Sequence, residues 1–120
     1  MKTFQIFVSL IATILLIIFC QALAHSQEID NLRLLEAIRR TENSVKYPYG
    51  IKSINTYGNV EYARKICLNS IKNAKKRYAK AGSKGDFIEF MGKRFCPISD
   101  CPRLNKNWVK NVRYYYENNN

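Results

Sequence analysis

The sequence predicts an all-α domain behind an apolar N-terminal segment. Two patterns carry this. Beyond residue 24, apolar residues recur at three- and four-residue spacing in four separate segments. Residues suited to capping or stopping helices stand at the edges of those segments, and no useful run alternates apolar with polar residues as a strand would.

The first segment has a short positive start at Lys2, and Phe4 to Cys20 is almost wholly apolar. Gln21-Ala22-Leu23-Ala24 gives a small-x-small ending, and polar His25-Ser26-Gln27 follows. This reads as a signal peptide, residues 1–24, cleaved after Ala24. Residues 25–120 then form one domain, large enough for a single modest core. Of the 20 Lys and Arg only Lys2 is lost, while all 9 acids stay, so 19 against 9 leaves a charge of +10. An exported chain with that charge suits a polyanionic partner outside the cytoplasm and argues against an intracellular nucleic-acid role.

The first helix of the domain is expected over roughly 27–41. Ile29, Leu32, Leu35 and Ile38 mark its buried stripe. Glu42 continues that stripe, four positions after Ile38 and seven after Leu35. A carboxylate on an apolar face is costly while charged and unpaired. The partial negative charge of a helix C-terminus opposes ionisation further. Both effects favour the protonated carboxyl, the form a general acid needs.

Next comes the longest non-helical stretch, 43–58, rich in Tyr, Asn and Ser. Aromatic rings beside amide and hydroxyl groups suit a sugar, and loops so placed commonly carry function. The second helix follows Asn59 as N-cap. It has an apolar face of Ala63, Ile66, Cys67, Ile71, Ala74 and Tyr78, a basic outer face, and a stop at Gly82. The third starts at Asp86, with Glu89 completing a capping box, and buries Phe87, Phe90, Met91 and Phe95 before Pro97 ends it. The last begins near Asn105 or Lys106, with Trp108, Val109, Val112, Tyr115 and Tyr116 on one face. Asp100, between Cys96 and Cys101, reads as a turn residue.

Export permits disulfides. Cys67, Cys96 and Cys101 remain after cleavage, so one bridge and one free thiol are expected, with three pairings open. The only His is His25, which leaves no zinc site with sensible spacing and no Cys–His catalytic pair. No metal and no cofactor are expected.

With these residues in place, the chain resembles the lysozyme-like superfamily, and within it the small lytic transglycosylases. The resemblance rests on three motifs. Ala37-Ile38-Arg39-Arg40-Thr41-Glu42-Asn43 ends a helix. Tyr49-Gly50-Ile51-Lys52-Ser53 follows in the loop. Asn107-Trp108-Val109-Lys110-Asn111-Val112-Arg113-Tyr114-Tyr115-Tyr116 looks like the closing helix of such domains. The resemblance covers most of the domain, about 32–116. The family's Glu-Ser pair reads Glu42-Asn43 here, and its loop Gln is Ser53. The tyrosine that supports the family's Glu is not recognisable, with Phe95 nearest its place.

The resemblance implies a peptidoglycan-cleaving glycosidase, a lytic transglycosylase working on the MurNAc-GlcNAc bond. Glu42 would be the single general acid and base. Tyr49 and Gly50 would line the cleft, and Ser53 would bond the sugar N-acetyl group. A lysozyme-type hydrolase and a catalytically silent wall-binding module of the same fold are the alternatives. The expected partners are peptidoglycan glycan strands and anionic wall polymers. The mature protein is expected to be a periplasmic or secreted monomer, with no nucleic acid bound and no stable membrane insertion.

Overall fold

The computed structural model describes residues 2–26 and 28–119, with side chains described for 2–19 and 28–119. It holds five helices: α1 (Lys2–Ser26), α2 (Asn31–Glu42), α3 (Val60–Lys80), α4 (Phe87–Phe95) and α5 (Pro102–Glu117). Among the described residues there is no strand. The chain is therefore all-α, as its periodicity predicts.

α1 stands apart. Among the described residues it packs against no other helix, and its described side chains from Lys2 to Phe19 are all exposed. That stretch has a mean hydropathy of 2.2, long and apolar enough to cross a membrane, a property shared by signal sequences. The expected cleavage point after Ala24 lies among residues whose side chains are outside those described.

The other four helices close a ring. α2 packs on α3, α3 on α4, α4 on α5, and α5 returns to α2. Leu34, Ile38, Ile71, Met91, Val112 and Cys67 fill the centre, each almost without exposure. Local chemistry fixes the helix starts. Asp30, Asn59 and Asp86 accept the backbone N–H groups of Arg33, Tyr62 and Glu89 at 2.9, 3.0 and 2.9 Å. α3 stops where Gly82 turns to φ +90°, and the Ser83 N–H returns to the Tyr78 carbonyl at 2.9 Å.

Three boundaries or faces differ from expectation. α2 starts at Asn31, because the Asp30 cap sets its first turn; Gln27, the expected start, lies outside the described residues. Leu32, expected on the buried stripe, is 58% exposed, and Leu34 takes the core position instead. The face turned inward is Leu34, Leu35, Ala37 and Ile38. At about 3.6 residues per turn, Glu42 still projects between Leu35 and Ile38. α5 begins at Pro102 rather than near Asn105. Proline is pre-set for the first helical position, and residues 102–104 are exposed and leave no apolar signal to reveal it.

The expected disulfide is not formed: Cys67, Cys96 and Cys101 are free thiols. Cys67 is sealed in the core, where burial first and the Glu42 charge second push its pKa up to about 12. The loop between Cys96 and Cys101 is closed by backbone instead. The N–H groups of Asp100 and Cys101 donate to the Pro97 carbonyl at 3.2 and 3.3 Å, which also gives Asp100 its turn role.

Candidate functional site

Glu42 is the last residue of α2 and is half-buried. The chain leaves the helix through Asn43, held in the left-handed region at φ 42° and ψ 45°, with its N–H on the Arg39 carbonyl at 3.1 Å. That reversal sends the chain into the 43–59 loop beside the carboxylate. There the Ser44 hydroxyl accepts the Tyr47 N–H at 3.0 Å, and the Gly50 N–H closes a turn on the Tyr47 carbonyl at 2.9 Å.

Gly50 ends this turn at φ +71° and lies directly against Glu42. A Cβ there would fall 2.5 Å from both Cδ and Oε1 of Glu42. Two constraints thus select glycine: the backbone conformation and the space taken by the carboxylate.

On the other side, the Trp108 Nε1–H donates to Glu42 Oε1 at 3.0 Å. A carboxylate acceptor makes this bond stronger than a neutral one. Trp108 is fixed in turn. Phe95 stacks on it at 5.3 Å between centroids and 26° between planes. Gly92 of α4 admits the ring edge, for a Cβ there would come within 3.2 Å of it. The buried Asn105 amide donates to the carbonyls of Gly92 and Cys96 at 3.1 and 2.7 Å, satisfying the C-terminal end of α4. The α4–α5 corner is therefore a rigid mount for one indole N–H.

A groove of about 390 Å³ opens next to this centre. Its floor on α3 is a single row, Ile66, Ser70, Asn73 and Arg77, at four-, three- and four-residue spacing. Met91, Arg94 and Phe95 of α4 face that row, and residues 50–54 of the loop form the third wall. Gly50 and Phe95 belong to both the groove and the Glu42 surroundings. Glu42 itself is not one of the wall residues; it stands behind Gly50 and beside Trp108. Among the described residues, no carboxylate lines the groove.

The expected site residues fall in different places. Gly50 touches Glu42, and Ser53 is an exposed residue of the groove wall. Tyr49 is only 4% exposed and belongs to the hydrophobic core rather than to the groove. Burial pushes its hydroxyl pKa up, against the lowering effect of the Arg64 and Arg39 charges. It supports the loop from below. Trp108, read from its spacing as a core residue, is the group that holds Glu42. The legible signal was its single N–H, which a buried indole must place on an acceptor. The polar row of α3 has no signal of its own in the sequence: Ser70 and Asn73 are small uncharged residues, and Arg77 is one of many basic residues on that helix.

No protein-family model, curated protein or solved structure matches this chain.

Proposed function

We propose that the domain is an exported lysozyme-like glycosidase that cleaves peptidoglycan, with residues 1–24 as its signal peptide and Glu42 as general acid and base. The observation that carries this is one half-buried carboxylate, anchored on one oxygen by Trp108 and flanked by Gly50, at the margin of a polar groove. The hydrogen bond occupies Oε1 and fixes the carboxyl orientation. Oε2 has no hydrogen-bond partner among the described residues and is the oxygen available to carry a proton.

In this reading Glu42 protonates the glycosidic oxygen as the bond to muramic acid breaks. The ionised carboxylate then takes the proton of the C6 hydroxyl of the same sugar, giving a 1,6-anhydro end and restoring the acid. The substrate's own N-acetyl group stands in for an enzyme nucleophile, which fits a groove without a second carboxylate. Ser53, Ser70 and Asn73 offer hydroxyl and amide groups to the strand, and Ile66 and Met91 offer apolar contact to sugar faces.

Glu42→Gln tests the assignment. The amide oxygen still accepts from Trp108, so the fold is kept, while the proton donor is lost. Release of soluble fragments from purified peptidoglycan is expected to fall about 10²- to 10⁴-fold, with co-sedimentation retained. Equal activity in the two proteins removes Glu42 from the chemistry. Mass spectrometry of the fragments separates the reaction types, since anhydro ends mark a transglycosylase and reducing ends a hydrolase.

A second reading has its own support. Glu42 lies behind Gly50 rather than in the groove wall, and it satisfies a buried indole N–H. Both suit a silent wall-binding module in which the carboxylate is structural. Binding without any wild-type turnover is the result that selects it.

A further inference from the structure

Among the described residues, the charged ones that wall the groove are all cations. Lys52 comes from the loop, Arg77 from α3 and Arg94 from α4. None of the three forms an ion pair among the described residues; the arginines that do are Arg39, Arg40 and Arg113. Arg77 is half-buried. Burial, and after it the nearby Arg94 charge, lowers its pKa, and among the described residues no carboxylate pairs with either guanidinium.

Such an arrangement has a direct physical consequence. Like charges on facing helices repel; Arg77 is half-buried while Arg94 and Lys52 are exposed, so water screens this repulsion only in part. An oxyanion bound between them removes the repulsion and gains charge-assisted hydrogen bonds from planar guanidinium forks. A neutral sugar in the same place leaves the cations unpaired. The position is set by helix register, because Arg77 closes the polar row that begins at Ile66, and Arg94 directly precedes Phe95, the residue that stacks on Trp108.

We propose that Arg77 and Arg94, assisted by Lys52, form a subsite for a free carboxylate pendant on the glycan, and that this subsite makes the groove select peptide-bearing acidic strands over neutral ones. The proposal rests on the glycan-cleaving reading of the groove and adds the substrate class to it. The carboxylate belongs to the peptide stem, and an inorganic or glycerol phosphate is the rival oxyanion.

The test uses Glu42→Gln protein, which leaves the ligand intact. Calorimetry compares a disaccharide–peptide fragment bearing free carboxylates with the same fragment after amidation. The free acid is expected to bind roughly tenfold or more tightly, the scale of one or two charge-assisted hydrogen bonds. Adding Arg77→Gln and Arg94→Gln is expected to abolish that difference while leaving the amidated fragment's affinity in place, with helical content checked by circular dichroism. Equal affinity for the acid and amide in protein with both arginines intact overturns the subsite and leaves glycan binding standing. A preference that survives loss of both arginines also overturns it. Displacement of the acid fragment by equimolar glycerol phosphate overturns the carboxylate assignment. Failure of both fragments to bind overturns the subsite and the glycan reading together, which separates that failure from the others.

Discussion

At Gly50 two requirements meet that are separate elsewhere in the chain. Gly58 shares its φ of +71° but has open space where a side chain would stand. Gly58→Ala therefore meets backbone strain alone, whereas Gly50→Ala must also displace the Glu42 carboxylate. Both substitutions should destabilise, Gly58→Ala by about 1 kcal/mol and Gly50→Ala by about 1–3 kcal/mol more. Denaturant melts check the difference. The protein has one tryptophan, so its fluorescence reports the contact directly: the emission should change with Gly50→Ala and stay fixed with Gly58→Ala. Equal melts and equal spectra would mean that Gly50 does not position the carboxylate. Glu42 was legible in the sequence because it interrupts an apolar stripe. That a buried Trp108 needs an acceptor for its N–H was legible too; that the acceptor is Glu42 was not, since the two residues are far apart in the chain.

At the level of elements, α2 carries both the site and an ion cluster on its outer side. Glu36 accepts from Arg39 through Nε at 2.9 Å and from Arg40 through Nε at 3.2 Å. The hydrogen bond from Arg39 is the main reason its pKa is lowered; partial burial opposes this, and the Arg40 bond and the two charges add to it. A carboxylate whose pKa is depressed on folding stabilises the fold above its unfolded value, and that contribution disappears as pH falls through the folded value. Glu36→Gln should therefore lower stability near pH 7 and make no difference in strong acid, where both side chains are neutral. The pair is partly exposed, with side chains 47% and 33% accessible, so the loss should be about 0.2–1 kcal/mol. Melts from pH 7 to pH 2 that keep a constant gap between the two proteins would disprove the linkage. The caps Asn59 and Asp86 were readable because each stands just before an apolar-periodic run. The start of α5 was not, because residues 102–104 are exposed and leave no apolar period; nor was the exposure of Leu32, because its spacing to Leu35 fits the expected stripe, whereas the buried face is rotated toward Leu34 and Ala37.

For the whole molecule, the decisive contrast is between a closed ring of four helices and one helix that, among the described residues, touches none of them. Exposed Phe4, Ile6, Phe7, Leu10 and Leu15 on α1 are an unfavourable surface in water. Lipid contact or removal relieves that exposure, and neither requires anything from α2–α5. A chain beginning at residue 25 should thus fold like the full chain. Its Tm should lie within about 4 °C of the parent's, the shift that roughly 1 kcal/mol produces in a domain of this size. Cys67 supplies a second readout that does not depend on heating. Its thiol is fully buried, and its raised pKa keeps it protonated at pH 8, so alkylation requires opening of the core. Cys67 should react with iodoacetamide at the same slow rate in both chains, followed by peptide mass spectrometry. Faster labelling or a larger drop in Tm on truncation would show that α1 protects the ring. Matching values would show that the core around Glu42 and the groove is complete without it.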